Sequence, residues 1–130
     1  MRHLTPKEAY AYLNETPDAL FVDVRSEIEY LFVGHPPDIE HISWTDFPDW
    51  EVNADFVHQV KRLTAGRTDR PVVLLCRSGF RSVDAGNVLE AAGFSDILNV
   101  VHGFEGDRDE HHHRNTKNGW RVDGLPWIQS

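Results

Sequence analysis

Short, nearly unbroken apolar runs set the terms on which this chain can fold. Ala19-Leu20-Phe21-Val22-Asp23-Val24, Val72-Val73-Leu74-Leu75 and residues 97–101 are each of strand length. A strand that faces water on one side alternates apolar and polar residues, so an unbroken run is expected where both faces are covered. The intervening segments carry helical spacing instead. Phe56, Val57, Val60 and Leu63 fall on one helical face, as do Val83, Val88, Leu89 and Ala92 before Gly93. Strand and helix patterns alternating in this way specify an α/β fold, a three-layer sandwich whose central, mainly parallel sheet is flanked by helices.

The remaining punctuation fits that order. Thr5-Pro6-Lys7-Glu8 reads as a helix start, with Thr5 as cap, Pro6 in the first turn and Glu8 completing a capping box. Ala9, Tyr12 and Leu13 come next, and Pro17 stops the helix. Residues 27–33 fit a short helix ended by Gly34 and Pro36-Pro37, and Ile42-Ser43-Trp44 a short strand. Asn53 or Asp55 is placed to cap the helix that carries Phe56. Beyond Gly103 the chain turns polar, passes through His111-His112-His113, and ends with Trp120, Leu125 and Trp127. Those apolar residues predict that 106–130 packs back on the rest as an extension of a single domain spanning 1–130. There is no internal repeat and no dividing linker, and 130 residues suffice for a real core.

Several function classes are disfavoured. A formal net charge of −8 argues against nucleic-acid or anionic-membrane binding. No apolar run reaches the roughly 18 to 20 residues of a membrane span. The opening residues lead into a helix start rather than an apolar signal region, so the expected location is cytoplasmic. Cys76 is the one cysteine, which removes internal disulfides and any C-x-x-C pair. If it cycles through a modified state, another molecule must resolve it. The three consecutive histidines do not face one point on a regular element and have no cysteine beside them, so they read as a solvated loop and not a metal site.

Cys76 comes directly after the apolar run Val72-Val73-Leu74-Leu75 and opens the loop Arg77-Ser78-Gly79-Phe80-Arg81-Ser82, after which a helix begins. Ligands of doubly wound sheets bind at the carboxyl ends of strands. Loop N–H groups and a helix start there form an anion cradle, and the same field favours a thiolate. Cysteines at helix N-termini or beside arginine have pKa values of roughly 3.5 to 7.5, against about 8.5 when free. Gly79 supplies the conformational freedom a tight loop needs. Arg77 and Arg81 add positive charge, Ser78 and Ser82 add hydroxyl donors, and Phe80 shapes the pocket mouth or an interaction surface. An inert core cysteine has no use for such a loop.

The segment from Cys76 to Ser82 resembles the active-site loop of rhodanese-type sulfurtransferases. Asp23-Val24-Arg25, Glu29-Tyr30 followed by Gly34-His35-Pro36, and Asn99-Val100 with Gly103-Phe104 resemble further motifs of that family, in its order. Pro37-Asp38 departs from the usual Pro-Gly. The tail from Gly106 is similar to an extension in one group of single-domain bacterial members. The resemblance implies that Cys76 takes a sulfane sulfur from a small anionic donor such as thiosulfate. It then passes the sulfur from its persulfide to cyanide or a thiol, with no metal or organic cofactor. Asp23, Arg25 and Glu29 would hold the loop arginines in place. The alternative within the same resemblance is a persulfide carrier that delivers sulfur to a partner protein with little turnover of its own. Related phosphatases use C-x5-R; here the loop is C-x4-R, and Ser82 stands where their arginine would be. The shorter loop suits a persulfide sulfur better than a tetrahedral phosphate ester, whose transition state needs that arginine on its equatorial oxygens.

Overall fold

The structure is a computed structural model and describes residues 1–130. Strand β1 (Arg2–Leu4) leads into α1 (Pro6–Glu15), β2 (Leu20–Asp23), a π-helical turn at Glu29–Val33 and β3 (Glu40–His41). Then come α2 (Phe56–Leu63), β4 (Val72–Leu75), α3 (Arg81–Ala91) and β5 (Ile97–Val100). The five strands form one sheet in the order β1-β5-β4-β2-β3, and every pair in it is parallel.

The apolar runs become the three central strands because each side chain finds cover, whichever way it points. Leu20, Val22, Val24, Val72, Leu74 and Ile97 pack on one side with Phe56 and Val60 of α2 and Ala85 and Leu89 of α3. Phe21, Val73, Leu75, Leu98 and Val100 pack on the other with Ala9 of α1, Phe104 and Trp120. Leu74 and Leu98 are wholly buried, and burial of each such side chain contributes about 1.5–3 kcal/mol. Period-two alternation along the strands then places the polar residues of the site: Cys76 continues the face of Val72 and Leu74, and Asn99 shares the face of Ile97.

The helix start at Thr5 is as expected from its sequence. The Glu8 N–H donates to Thr5 Oγ1 at 3.2 Å, and the Thr5 N–H donates to Glu8 Oε1 at 2.9 Å. Elsewhere the structure departs from the sequence pattern in detail. β3 lies at Glu40–His41, just before the expected Ile42-Ser43-Trp44. The backbone there still tracks β2, since Ile42 N–H donates to Asp23 O and Trp44 N–H to Val24 O, both at 3.0 Å. The short helix expected at 27–33 ends as a π-helical turn. Asp55 precedes α2 but makes no side-chain cap. β1 has no signature in the sequence, because Arg2-His3-Leu4 offers one apolar side chain. Its strand character comes from pairing with β5, in the register Arg2 to Leu98 and Leu4 to Val100.

The tail runs back across the α1 side of the sheet. Trp120 is buried, edge-on to Tyr10 at 5.8 Å and tilted against Phe21 at 5.5 Å, and its indole N–H donates to Pro126 O at 2.8 Å. Farther on, His35 and Ile128 exchange backbone hydrogen bonds of 2.9 Å. No helix is long and apolar enough to cross a membrane.

Candidate functional site

Parallel pairing aligns Asp23 of β2 with Leu75 of β4. Cys76 is thus one residue beyond the sheet's carboxyl edge, where open parallel sheets hold their ligands. Residues 77–80 turn the chain into α3. The Gly79 N–H donates to Cys76 Sγ at 3.1 Å, and Ser82 Oγ, from the first turn of α3, is 3.2 Å from the same sulfur. Of the cradle expected from sequence, Gly79 supplies the backbone donor at hydrogen-bond distance from Sγ. Cys76 and Ser82 are both buried.

The turn after β5 braces this loop from outside. Phe104 N–H donates to Cys76 O at 2.8 Å, and the N–H groups of Glu105 and Gly106 reach Arg77 O at 2.9 and 3.1 Å. That approach requires glycine at 103. Its φ is +59°, and a Cβ there would run into the Cys76 carbonyl oxygen and the Arg77 carbonyl.

A polar chain that the sequence did not reveal leads away from the sulfur. Ser82 Oγ donates to Asn99 Oδ1, and Asn99 Nδ2 lies 3.2 Å from His3 Nδ1 and 3.5 Å from Gly79 O. The one signal in the sequence is Asn99 itself, an amide inside an otherwise apolar strand. A buried amide needs partners, and the loop and α3 provide them.

Of Asp23, Arg25 and Glu29, expected to hold the loop arginines, Glu29 is the one bonded to a loop arginine, and Asp23 and Arg25 bond to each other. Asp23 and Arg25 form a wholly buried pair at 2.6 Å, with further bonds from Arg25 Nε at 3.0 and 3.1 Å and from the Arg25 N–H at 3.0 Å. Arg25 also donates to Gly34 O at 2.6 Å and lies 4.5 Å over the Phe104 ring. The pair therefore ties the end of β2 to the segment after the π-helical turn and to the turn after β5. Glu29 instead takes Arg81, through two parallel bonds of 2.8 Å. Ser26 Oγ donates to Glu29 at 2.9 Å. Arg81 is thus committed to Glu29, while Arg77 and Phe80 are exposed, Phe80 at 75%.

Burial alone would raise the Glu29 pKa, but the hydrogen bonds and charge of Arg81, with help from Ser26, bring it down to about 2. Burial likewise pulls Arg81 down, yet Glu29 more than compensates and the net shift is upward, with smaller contributions from Cys76 and Asp23. The Glu29 value in the folded protein lies below its ordinary 4.5, so the pair's stabilisation is complete above about pH 4.5 and is lost as pH falls toward 2. Solvent reaches both side chains, 16% for Glu29 and 23% for Arg81, which reduces the effect to about 1–2 kcal/mol. Glu29→Gln is expected to be less stable than wild type by that amount near neutral pH. Urea unfolding at a series of pH values should show the gap closing as the pH nears 2, and a gap that stays constant would contradict this role.

The histidines are dispersed. His35 stacks on Tyr30 at 3.9 Å and His41 on the same ring at 4.6 Å. His111, His112 and His113 are exposed, and the N–H groups of His111 and His113 donate to Asp109 at 2.8 and 2.9 Å.

The rhodanese-like domain family model matches residues 5–110. Over its whole length the chain superposes on Rv0390 from M. tuberculosis, with a TM-score of 0.88, 38% identity and 98% of that chain covered. The Rickettsia conorii protein RC0915 is 30% identical over 127 residues, covering 98% of this chain and 97% of its own length. The thiosulfate sulfurtransferase GlpE of Haemophilus influenzae is 24% identical over 105 residues, 81% of this chain and 86% of that protein.

Proposed function

The chain belongs to the rhodanese-like family, and from that premise we propose that it is a sulfurtransferase working through a persulfide on Cys76. The observation that carries this reading is the sulfur's position, at the carboxyl edge of β4 with the Gly79 N–H donating to it at 3.1 Å. In the first half-reaction the Cys76 thiolate attacks the outer sulfur of thiosulfate. The donor S–S bond breaks, sulfite leaves with the electron pair, and a new S–S bond forms on Cys76. In the second, cyanide or a thiolate takes the outer sulfur, and Cys76 departs as thiolate. The Gly79 N–H stabilises the negative sulfur. Arg77, free of Glu29, orients the anionic donor, with Ser78 and Phe80 beside it. Arg81, with Glu29, fixes the entry to α3, and Asp23–Arg25 holds the neighbouring strand end. Residues 106–130 belong to the same domain, and a single free thiol suits the reducing cytoplasm.

Similarity to the thiosulfate sulfurtransferase GlpE supports thiosulfate as donor. The second reading, a carrier that hands its persulfide to a partner protein, is favoured by one feature: Phe80, 75% exposed beside the reactive loop. Thiocyanate release from thiosulfate and cyanide separates the two. Repeated turnover establishes the enzyme. Slow thiocyanate release, combined with a persulfide that loads and persists on Cys76, establishes the carrier.

A further inference from the structure

The sequence of 106–116 has no counterpart in the chemistry above, yet it builds one wall of a cavity against the reactive loop. Arg77, Ser78 and Phe80 line this cavity of about 470 Å³ from the loop side, and Arg108, His112 and Arg114 line it from the tail. Its volume is within the range of small-molecule sites, roughly 300–1,000 Å³, and far exceeds what thiosulfate needs.

Positive charge is concentrated there in a protein whose net charge is −8. Neither Arg77 nor Arg108 forms a salt bridge or a side-chain hydrogen bond. Arg114 spends one hydrogen bond on Gly106 O, at 2.7 Å. Burial and then the charge of Arg77 push the Arg114 pKa down, with Arg108 adding to the repulsion and Glu105 and Asp107 only partly offsetting it. The two acids of the cavity do not relieve this fully. Asp109 is bound to the N–H groups of His111 and His113 and to the Thr116 hydroxyl, at 2.8, 2.9 and 2.8 Å. Asp107 is bound to Asn118 at 3.1 Å and faces His102 at 3.3 Å. Three guanidiniums, two of them exposed, outnumber the two cavity carboxylates, which are bound to other groups, and suit a ligand that brings its own negative charges, as carboxylate or phosphate.

We propose that this basin is the acceptor site, and that it selects a low-molecular-weight thiol carrying two or more negative charges. This rests on the sulfurtransferase reading, and the absence of a second cysteine supports it, because the thiol that collects the sulfur must come from another molecule. The acceptor's thiolate attacks the outer sulfur of the Cys76 persulfide, the Cys76 S–S bond breaks, and Cys76 leaves as thiolate while the acceptor carries the sulfur away as its own persulfide.

The test uses two probes that cannot accept sulfur, S-methylglutathione for carboxylates and S-methyl-coenzyme A for phosphates. Their binding to the full chain is measured by calorimetry at low and high salt. At least one is expected to bind, more weakly in salt, and about tenfold more weakly to Arg108→Glu, because the charge is reversed beside the anion. The probe that binds identifies the anionic group. Binding of neither probe, or equal affinity in wild type and Arg108→Glu, would overturn the proposal whether or not the protein transfers sulfur. In turnover, Arg108→Glu should raise KM for the matching anionic thiol about tenfold relative to KM for 2-mercaptoethanol. A parallel change for both thiols would count against the site.

Discussion

Cys76→Ser is expected to lose sulfur transfer by at least about 10³-fold while remaining folded. The step requires a nucleophile that forms a stable bond to sulfur and then gives it up, and a serine hydroxyl at neutral pH does neither. The substitution costs little structurally. An oxygen in place of Sγ can still accept from the Gly79 N–H and exchange a hydrogen bond with Ser82, the partners that now lie 3.1 and 3.2 Å away. Thiocyanate release, read beside the thermal unfolding midpoint, checks both halves. Retained turnover in a folded Cys76→Ser protein would place the chemistry elsewhere, and the chain has no other thiol to supply it.

Asp23→Ala is expected to have the largest effect on stability, about 3–5 kcal/mol, because it strands a charge. Arg25 is fully buried, and its bonds to Asp23 are its principal compensation; Gly34 O and the Phe104 face remain. A loss of this size consumes much of the roughly 5–15 kcal/mol that keeps a domain folded. Asp23→Asn keeps an acceptor and should lose less. Urea unfolding would measure the difference, and a loss below about 1 kcal/mol for Asp23→Ala would show that the pair contributes little. Because the same guanidinium grips Gly34 O, the alanine variant should also loosen the π-helical turn that presents Glu29 to Arg81.

How much of the fold is legible in the sequence depends on how each element is held. β2, β4 and β5 are covered on both faces, so their residues have to be apolar and the runs show it. α1 carries its own start signal in Thr5 and Glu8. β1 is held by hydrogen bonds to β5 rather than by side-chain pattern, and three residues with one apolar member carry no strand signature. β3 falls two residues earlier than its apolar neighbours suggest, because pairing with β2, not the apolar character of Ile42 and Trp44, sets where the ladder begins.

The candidate site shows the same division. Cys76, Gly79 and Ser82 are contiguous, and the loop announces itself. That Asp23 binds Arg25 and Glu29 binds Arg81 depends on which strand ends meet, and composition is silent on that. Ser82, Asn99 and His3 come together only through the parallel register of β1, β5 and β4. Arg77, Arg108 and Arg114 converge because the tail folds back beside the loop, and in the sequence they are charges scattered through polar stretches.

Everything proposed for this protein depends on Cys76 carrying the sulfur, and mass spectrometry of the purified protein before and after thiosulfate decides that point. A gain of about 32 Da, one sulfur atom, is expected on the peptide containing Cys76, removed by cyanide and absent from Cys76→Ser. An unmodified Cys76 after donor treatment, or an equal gain in Cys76→Ser, would refute it.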